Sequence, residues 1–287
     1  MLPSSGPLSI SAIKTELGLP NVNSLAGLSN AGNRGGPPYP MSAFYGYNGS
    51  GLVLSLDAAN SSSYPGSGTT WYDISGNGNH FSMAAYNGGS NPSIGGSGSG
   101  QYFQFTGTYA PAASYQGGGY FTRGASLNMD YSTTITWFNN NTYSPKVMIL
   151  GGTGYNSSMY QGVELFLNGY AIGYVSSRIS TGQGFSYNDL NYAYSYNTWY
   201  MLTQTYDGTT QKMYLMTGLV ASASKSGTQN TPDKNYMVGA HHTSSGNPGE
   251  FYNGAISVYK VWNRALSFSE INDQYNLYCQ RYGYNLV

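Results

Sequence analysis

Charge is what this chain has least of. Its 287 residues hold 11 Lys and Arg and 11 Asp and Glu, 8% in all, against about 25% in an average soluble protein. The formal net charge is zero, so nothing points to nucleic acid or an anionic membrane as partner. Disorder is excluded from the other side: 15% of the residues are aromatic, too many for an unfolded polar chain. There is one cysteine, Cys279, which rules out an internal disulfide and a thiolate zinc cluster. A lone thiol near the C-terminal end reads as packing rather than as a nucleophile, which would need an activating base. Met1-Leu2-Pro3-Ser4 begins no basic-then-apolar leader, so no signal peptide is expected. No apolar run approaches the ~18 residues of a membrane span.

Paired acids are missing too. No two of the acidic residues stand at i, i+2, and the nearest pair, Glu270 and Asp273, lies in a stretch with helical periodicity. No Gly-x-Ser-x-Gly elbow occurs. His241 and His242 are adjacent, so on a strand they would face opposite ways; the Gly239 before them suggests a solvated loop. No catalytic residue is assigned.

What the chain has instead is tyrosine and glycine, 30 and 40 residues. Tyrosine gives wide contact area at low entropic cost, as in antibody paratopes, and it also suits strands. Trp199–Tyr206 reads as a strand, Asp207-Gly208 as a turn, Gln211–Thr217 as the return strand, and Gly218 as a second turn. Leu52–Asp57, Tyr102–Phe105, Tyr120–Thr122, Thr133–Phe138 and Tyr236–Gly239 carry further strand signals. Val147–Leu150 reads as a buried strand ended by Gly151-Gly152. Val163–Leu167 and Tyr170–Tyr174 flank Asn168-Gly169, a hairpin signal. In Phe251–Ile271, Ile256, Val258 and Lys260 alternate with Ser257, Tyr259 and Val261. Ser267 and Glu270 then form a capping box, with Leu266 and Ile271 as its staple, for a short helix whose apolar face is Ile271, Tyr275 and Tyr278.

These stretches resemble laminin-G-like domains of the concanavalin-A-like lectin/glucanase fold. The resemblance lies in the Leu52–Asp57 strand, in Trp71-Tyr72-Asp73-Ile74-Ser75-Gly76-Asn77-Gly78-Asn79, in the Trp199 hairpin, and above all in Phe251–Ile271. At the hairpin, Thr217-Gly218 stands where the family has Asn-Gly. The expected fold is therefore all-β: a jelly-roll sandwich of two antiparallel sheets over residues 49–287, with a short C-terminal helix. Retaining glucanases of that fold carry Glu-x-Asp-x-x-Glu on one strand, two carboxyls about 5–5.5 Å apart; the motif is absent, and a depolymerase is the alternative reading only through acids converging from separate strands. Asp73, Ser75 and Asn77 match positions 1, 3 and 5 of an EF-hand loop, but position 12 is Ala84 where a bidentate Glu is required. They form a weak Ca²⁺ candidate of the kind some laminin-G-like domains have; the competing reading is a set of Asx turns. No other cofactor is expected.

Residues 1–48 differ. Ser9 caps a helix in which Ile10, Ile13 and Leu17 share a face, Gly18 and Pro20 end it, and Met41–Tyr47 adds an apolar turn containing Phe44 and Tyr45. These apolar side chains are too few to offset the ordering of the segment on its own. Gly6–Gly18 followed by Pro40–Gly46 resembles N-terminal segments of tailed-phage virion proteins, especially marine ones; the alternative is a helix packed on its own domain. The resemblance implies an anchor built on Ile10, Ile13, Leu17, Phe44 and Tyr45 that binds other virion proteins. It also implies a location on the virion in many copies or as a homo-oligomer, and a sandwich displayed outward, where it binds glycan or only decorates the particle.

Overall fold

A computed structural model of the chain describes residues 9, 51–107, 117–141, 147–155, 160–168, 171, 173–181, 189–230 and 233–287. The anchor residues Ile10, Ile13, Leu17, Phe44 and Tyr45 lie outside the described residues. The strands are β1 (Leu52–Asp57), β2 (Thr70–Trp71), β3 (Phe81–Tyr86), β4 (Ser93–Gly95), β5 (Tyr102–Thr106), β6 (Gly118–Thr122), β7 (Ser132–Asn139), β8 (Met148–Tyr155) and β9 (Tyr160–Leu167). They continue with β10 (Tyr174–Ile179), β11 (Leu190–Ala193), β12 (Trp199–Tyr206), β13 (Thr210–Leu215), β14 (Gly218–Ser224), β15 (Met237–Val238), β16 (His241–His242), β17 (Pro248–Gly249) and β18 (Asn253–Trp262). One α-helix, α1 (Phe268–Tyr278), follows.

Two sheets form a jelly-roll-like sandwich. Sheet I runs β14-β13-β12-β7-β18-β5-β4, and β1 pairs with the second half of β18. Sheet II runs β11-β10-β9-β8-β15-β6-β3-β2, with β16 and β17 beside β8. The pairings are antiparallel, apart from the single β16–β8 register pair His242↔Gly154 and the isolated bridge Ile149↔Phe251. Between the sheets sits an apolar core that includes Leu56, Trp71, Phe103, Phe121, Phe138, Leu165, Leu202 and Tyr259. Trp71, Phe103 and Phe121 make tilted and edge-on ring contacts at 4.6–5.0 Å, the geometry aromatic quadrupoles favour.

Sheet I is covered on its other face as well. Ile135, Trp137, Met201, Val258 and Trp262 point away from the sandwich and pack under α1 through Ile271, Tyr275 and Tyr278. The helix starts where its capping box predicts: Ser267 Oγ accepts from the Glu270 N–H at 3.3 Å, and Glu270 Oε2 accepts from the Ser267 N–H at 2.8 Å. Such a cap contributes about 1 kcal/mol. Beyond it, Tyr282 stacks on both Trp137 and Trp199, with ring centroids 4.6 and 4.5 Å away. Arg281 binds Asp57 of β1 through two parallel hydrogen bonds of 2.8 and 2.9 Å. Cys279 is buried and free.

Four local expectations are corrected. A bulge between Ile256 and Val258 turns Ile256 inward with Tyr259 and Val261. It leaves Val258 and Trp262 on the helix side, where Lys260 Nζ donates to Gln274 Oε1 at 3.0 Å. The second hairpin turns at Met216-Thr217, not at Gly218, which already belongs to β14. Met216 holds the left-handed conformation (φ 57°) that Asn or Gly would normally take. It is fixed there by its N–H bonding to Met201 O at 2.7 Å and by its sulfur, which accepts from the Met201 N–H. Strand β8 does not end at Gly151-Gly152 but runs on to Tyr155 through two irregularities. Gly154 there has φ 86°, and a Cβ on it would collide with the His242 backbone, so this glycine is what lets β16 approach. The return strand of the β9 hairpin, β10, begins at Tyr174, with Ala171 in a bend and Gly173 in a turn before it, while Gly169, Tyr170 and Ile172 lie outside the described residues.

Candidate functional site

Asp73, Ser75 and Asn77 lie in the loop after β2, and the structure brings them together. Asp73 Oδ1 accepts from the Ser55 and Ser75 N–H groups, both at 2.9 Å. Its Oδ2 accepts from Ser75 Oγ at 2.8 Å and from the Asn79 N–H at 2.9 Å. Asn77 Nδ2 donates to Leu52 O at 2.8 Å and to Ser75 Oγ at 2.9 Å. The one carboxylate is thus saturated by protein donors, and the loop is buckled to β1 as a set of Asx turns. A Ca²⁺ ion needs six to eight oxygens and would have to displace these bonds, so the residues present do not fit a resident cation. Among the described residues no group of three or more His, Cys, Asp or Glu could hold a metal ion.

A second cluster was hidden from the sequence. His241 is not solvated: its side chain is 4% exposed, with Nδ1 at 2.6 Å from Glu164 Oε1 and Nε2 at 3.1 Å from Glu250 Oε2. Glu164, 1% exposed, also accepts from Arg178 Nη1 at 3.1 Å, and Arg178 reaches Asp189 through two bonds of 2.7 Å. The two histidines do face different ways; His242 Nδ1 lies 3.0 Å from Gly246 O. Burial alone would push the His241 imidazole down, but the Glu164 carboxylate, with Glu250, outweighs it and pushes it up to about 10. Burial would likewise raise Glu164; His241 and then Arg178 hold it below its ordinary 4.5. The carboxylate is ionised, the imidazole protonated, and both ring nitrogens are engaged. The network ties β9, β10, β16 and the turn after β17 to one another. The signal available in the sequence was Glu164 itself, a lone acid inside the apolar strand Val163-Glu164-Leu165-Phe166-Leu167.

Among the described residues, one feature open to a ligand is a cleft of about 460 Å³ where the edges of the two sheets meet. Strand β11, the edge of sheet II, supplies Tyr192 and Tyr194 from its end; β12 supplies Tyr200; the β13–β14 hairpin supplies Leu215, Met216 and Val220. The volume is within the roughly 300–1,000 Å³ range of small-ligand sites. Its walls are preset. Tyr194 and Tyr200 meet edge to face at 6.3 Å and both rest against Phe138. The Tyr194 hydroxyl accepts from Asn140 Nδ2 and the Tyr200 hydroxyl from the Ser195 N–H. Burial pushes the Tyr194 phenol up, so it stays neutral. Tyr192 stands at the rim, 43% exposed. The sequence held one trace of this site, tyrosines at 192, 194 and 196 with the period of a strand; the rest comes from a different sheet.

The family model described as the concanavalin A-like lectin/glucanases superfamily, of laminin-G type, matches residues 116–272. Solved structures with the same fold include the binding domain of botulinum neurotoxin DC in complex with SialylT, at 15% identity and a TM-score of 0.56 over 79% of this chain and 51% of that one. The receptor-binding domain of botulinum neurotoxin type G matches at 16% and 0.53, over 79% and 51%. A structure of botulinum neurotoxin type C, whose cell entry depends on two ganglioside molecules, matches at 14% and 0.54, again over 79% and 51%. The chain spans about half the length of these structures, and at such identities the likeness shows the fold. No curated protein matches. With the family model covering more than half of its residues and the two-sheet sandwich under it, the chain belongs to the laminin-G-like branch of the concanavalin A-like lectin/glucanase superfamily.

Proposed function

We propose that this chain is a non-enzymatic carbohydrate-binding protein of a phage particle, attached through residues 1–48 and presenting the sandwich of residues 49–287 outward. The carrying observation is the preset tyrosine cleft between β11 and β14. Aromatic faces that are fixed before binding lose little entropy when a sugar ring stacks on them. The lectin-type fold supports the same reading, as do solved structures of that fold: one in complex with SialylT, and one of a toxin whose cell entry depends on two ganglioside molecules.

The non-enzymatic part rests on the acids. Among the described residues Glu164 of β9 and Glu250 after β17 converge on His241, and Glu164 and Asp189 on Arg178, so a cation lies between the acids of each pair. The virion part rests on the N-terminal sequence, whose apolar residues need a partner surface. Binding of the full chain to a glycan array tests the first claim; an array without a single hit would refute it. Reducing sugar released from capsule or lipopolysaccharide would refute the second. Absence of the chain from purified particles would refute the third.

A further inference from the structure

The cleft has a chemical bias that narrows its ligand. None of its nine lining residues carries a charge. The Tyr194 and Tyr200 hydroxyls each accept a hydrogen bond from the protein, from Asn140 Nδ2 and from the Ser195 N–H. The surface lining the cleft is uncharged throughout: ring face and aliphatic surface, as from Tyr192, Leu215, Met216 and Val220, mixed with nearly as much uncharged polar surface. An anionic group entering here would lose part of its hydration and meet no cation in return. An uncharged pyranose loses nothing comparable. Its C–H face stacks on the rings, and its hydroxyls remain at the rim, where the edge strands β11 and β14 present backbone N–H and C=O groups.

We infer that the cleft between β11 and β14 selects uncharged saccharides and rejects acidic ones, because its walls join aromatic rings with uncharged polar groups and no basic side chain faces the ligand. This inference rests on the carbohydrate-binding reading and goes beyond it in naming the ligand class. Tyr192 is the specificity-bearing contact: it is the most exposed ring of the site, and it is held by no bond that its removal would break elsewhere in the cleft wall.

The test is a titration of the full chain by calorimetry with neutral trisaccharides (of glucose, of N-acetylglucosamine and of galactose) and with two acidic probes, sialyllactose and trigalacturonate. At least one neutral probe is expected to bind, with an affinity that does not change from low to high salt, while both acidic probes fail. Tyr192→Ala should weaken the neutral ligand about tenfold, the loss of one aromatic contact and its burial. Tyr192→Phe should bind as the wild type does. Val220→Asp, on the opposite wall, should abolish binding while leaving the melt cooperative. Acidic probes that bind as tightly as neutral ones, or binding that falls steeply with salt, would overturn the inference and leave the carbohydrate reading standing. Unchanged neutral-sugar affinity in both Tyr192→Ala and Val220→Asp would overturn it by placing the ligand elsewhere. If no probe and no array glycan binds, the carbohydrate reading falls and takes this inference with it.

Discussion

Replacing Glu164 by Gln is the sharpest test of how sheet II is held. The substitution keeps the shape of a side chain that is 1% exposed and removes its charge. Two cations then lose their partner: His241, whose Nδ1 sat 2.6 Å from the carboxylate, and Arg178, at 3.1 Å. Removing one member of a buried pair costs about 3–5 kcal/mol. The imidazole offers an independent figure. Moving it from 6.5 to about 10, at ~1.36 kcal/mol per unit, corresponds to about 5 kcal/mol; this is the same interaction counted from the other side, so the two figures are not summed. A loss of that size lowers the melting temperature by on the order of 10 °C in a domain of this length. The pH dependence carries the signature. A raised imidazole contributes stability that is complete below pH 6.5 and is lost as pH rises through about 10, and a lowered Glu164 contributes stability that is lost as pH falls below 4.5. Urea unfolding across that range should show the wild type weakening steadily on the alkaline side. The variant should start lower and run flatter. A variant within about 0.5 kcal/mol of wild type at neutral pH, with the alkaline slope intact, would refute the reasoning.

Three further outcomes are expected. Arg281→Ala leaves Asp57, whose side chain is 4% exposed, buried without its cation, and should cost about 3 kcal/mol in chemical denaturation. EDTA should move the melting temperature by no more than a few degrees, since the Asp73 carboxylate is already saturated by Ser55, Ser75 and Asn79; a large drop would mean that a cation reorganises the loop. Deleting residues 1–48 should leave a cooperative melt and abolish incorporation into particles, and Ile13→Asp together with Phe44→Asp should reproduce the second effect in the full chain.

The legible parts of this molecule were local. The β12–β13 hairpin, the capping box at Ser267 and the apolar face Ile271–Tyr275–Tyr278 depend on neighbours within a few residues, and period alone reveals them. Register was not legible, because the bulge at Ile256–Val258 is set by pairing with β7 across more than a hundred residues. Met216 defied propensity for a similar reason: its left-handed backbone is held by Met201, on the strand before. His241 was misplaced because its partners, Glu164 and Glu250, are brought to it by β9 and by the loop after β17, and no spacing in the chain encodes that meeting. The cleft was hardest to foresee. It exists only where the edges of two different sheets come side by side, and its walls join residues from β11, β12 and the β13–β14 hairpin.

Strand β18 carries one more consequence, for how the molecule is made. It lies in the interior of sheet I, between β7 on one side and β5 and β1 on the other, yet among the described strands it is the last to leave the ribosome. Until Asn253–Trp262 has been synthesised, β1, β5 and β7 have no common neighbour, and the strands of that sheet wait with open edges. Closure is therefore a late, long-range event, slow for the reasons that make non-local sheets slow, and the growing chain is exposed to mispairing until then. Chains ended at residue 252 and released from the ribosome should be protease-sensitive, and released full-length chains resistant.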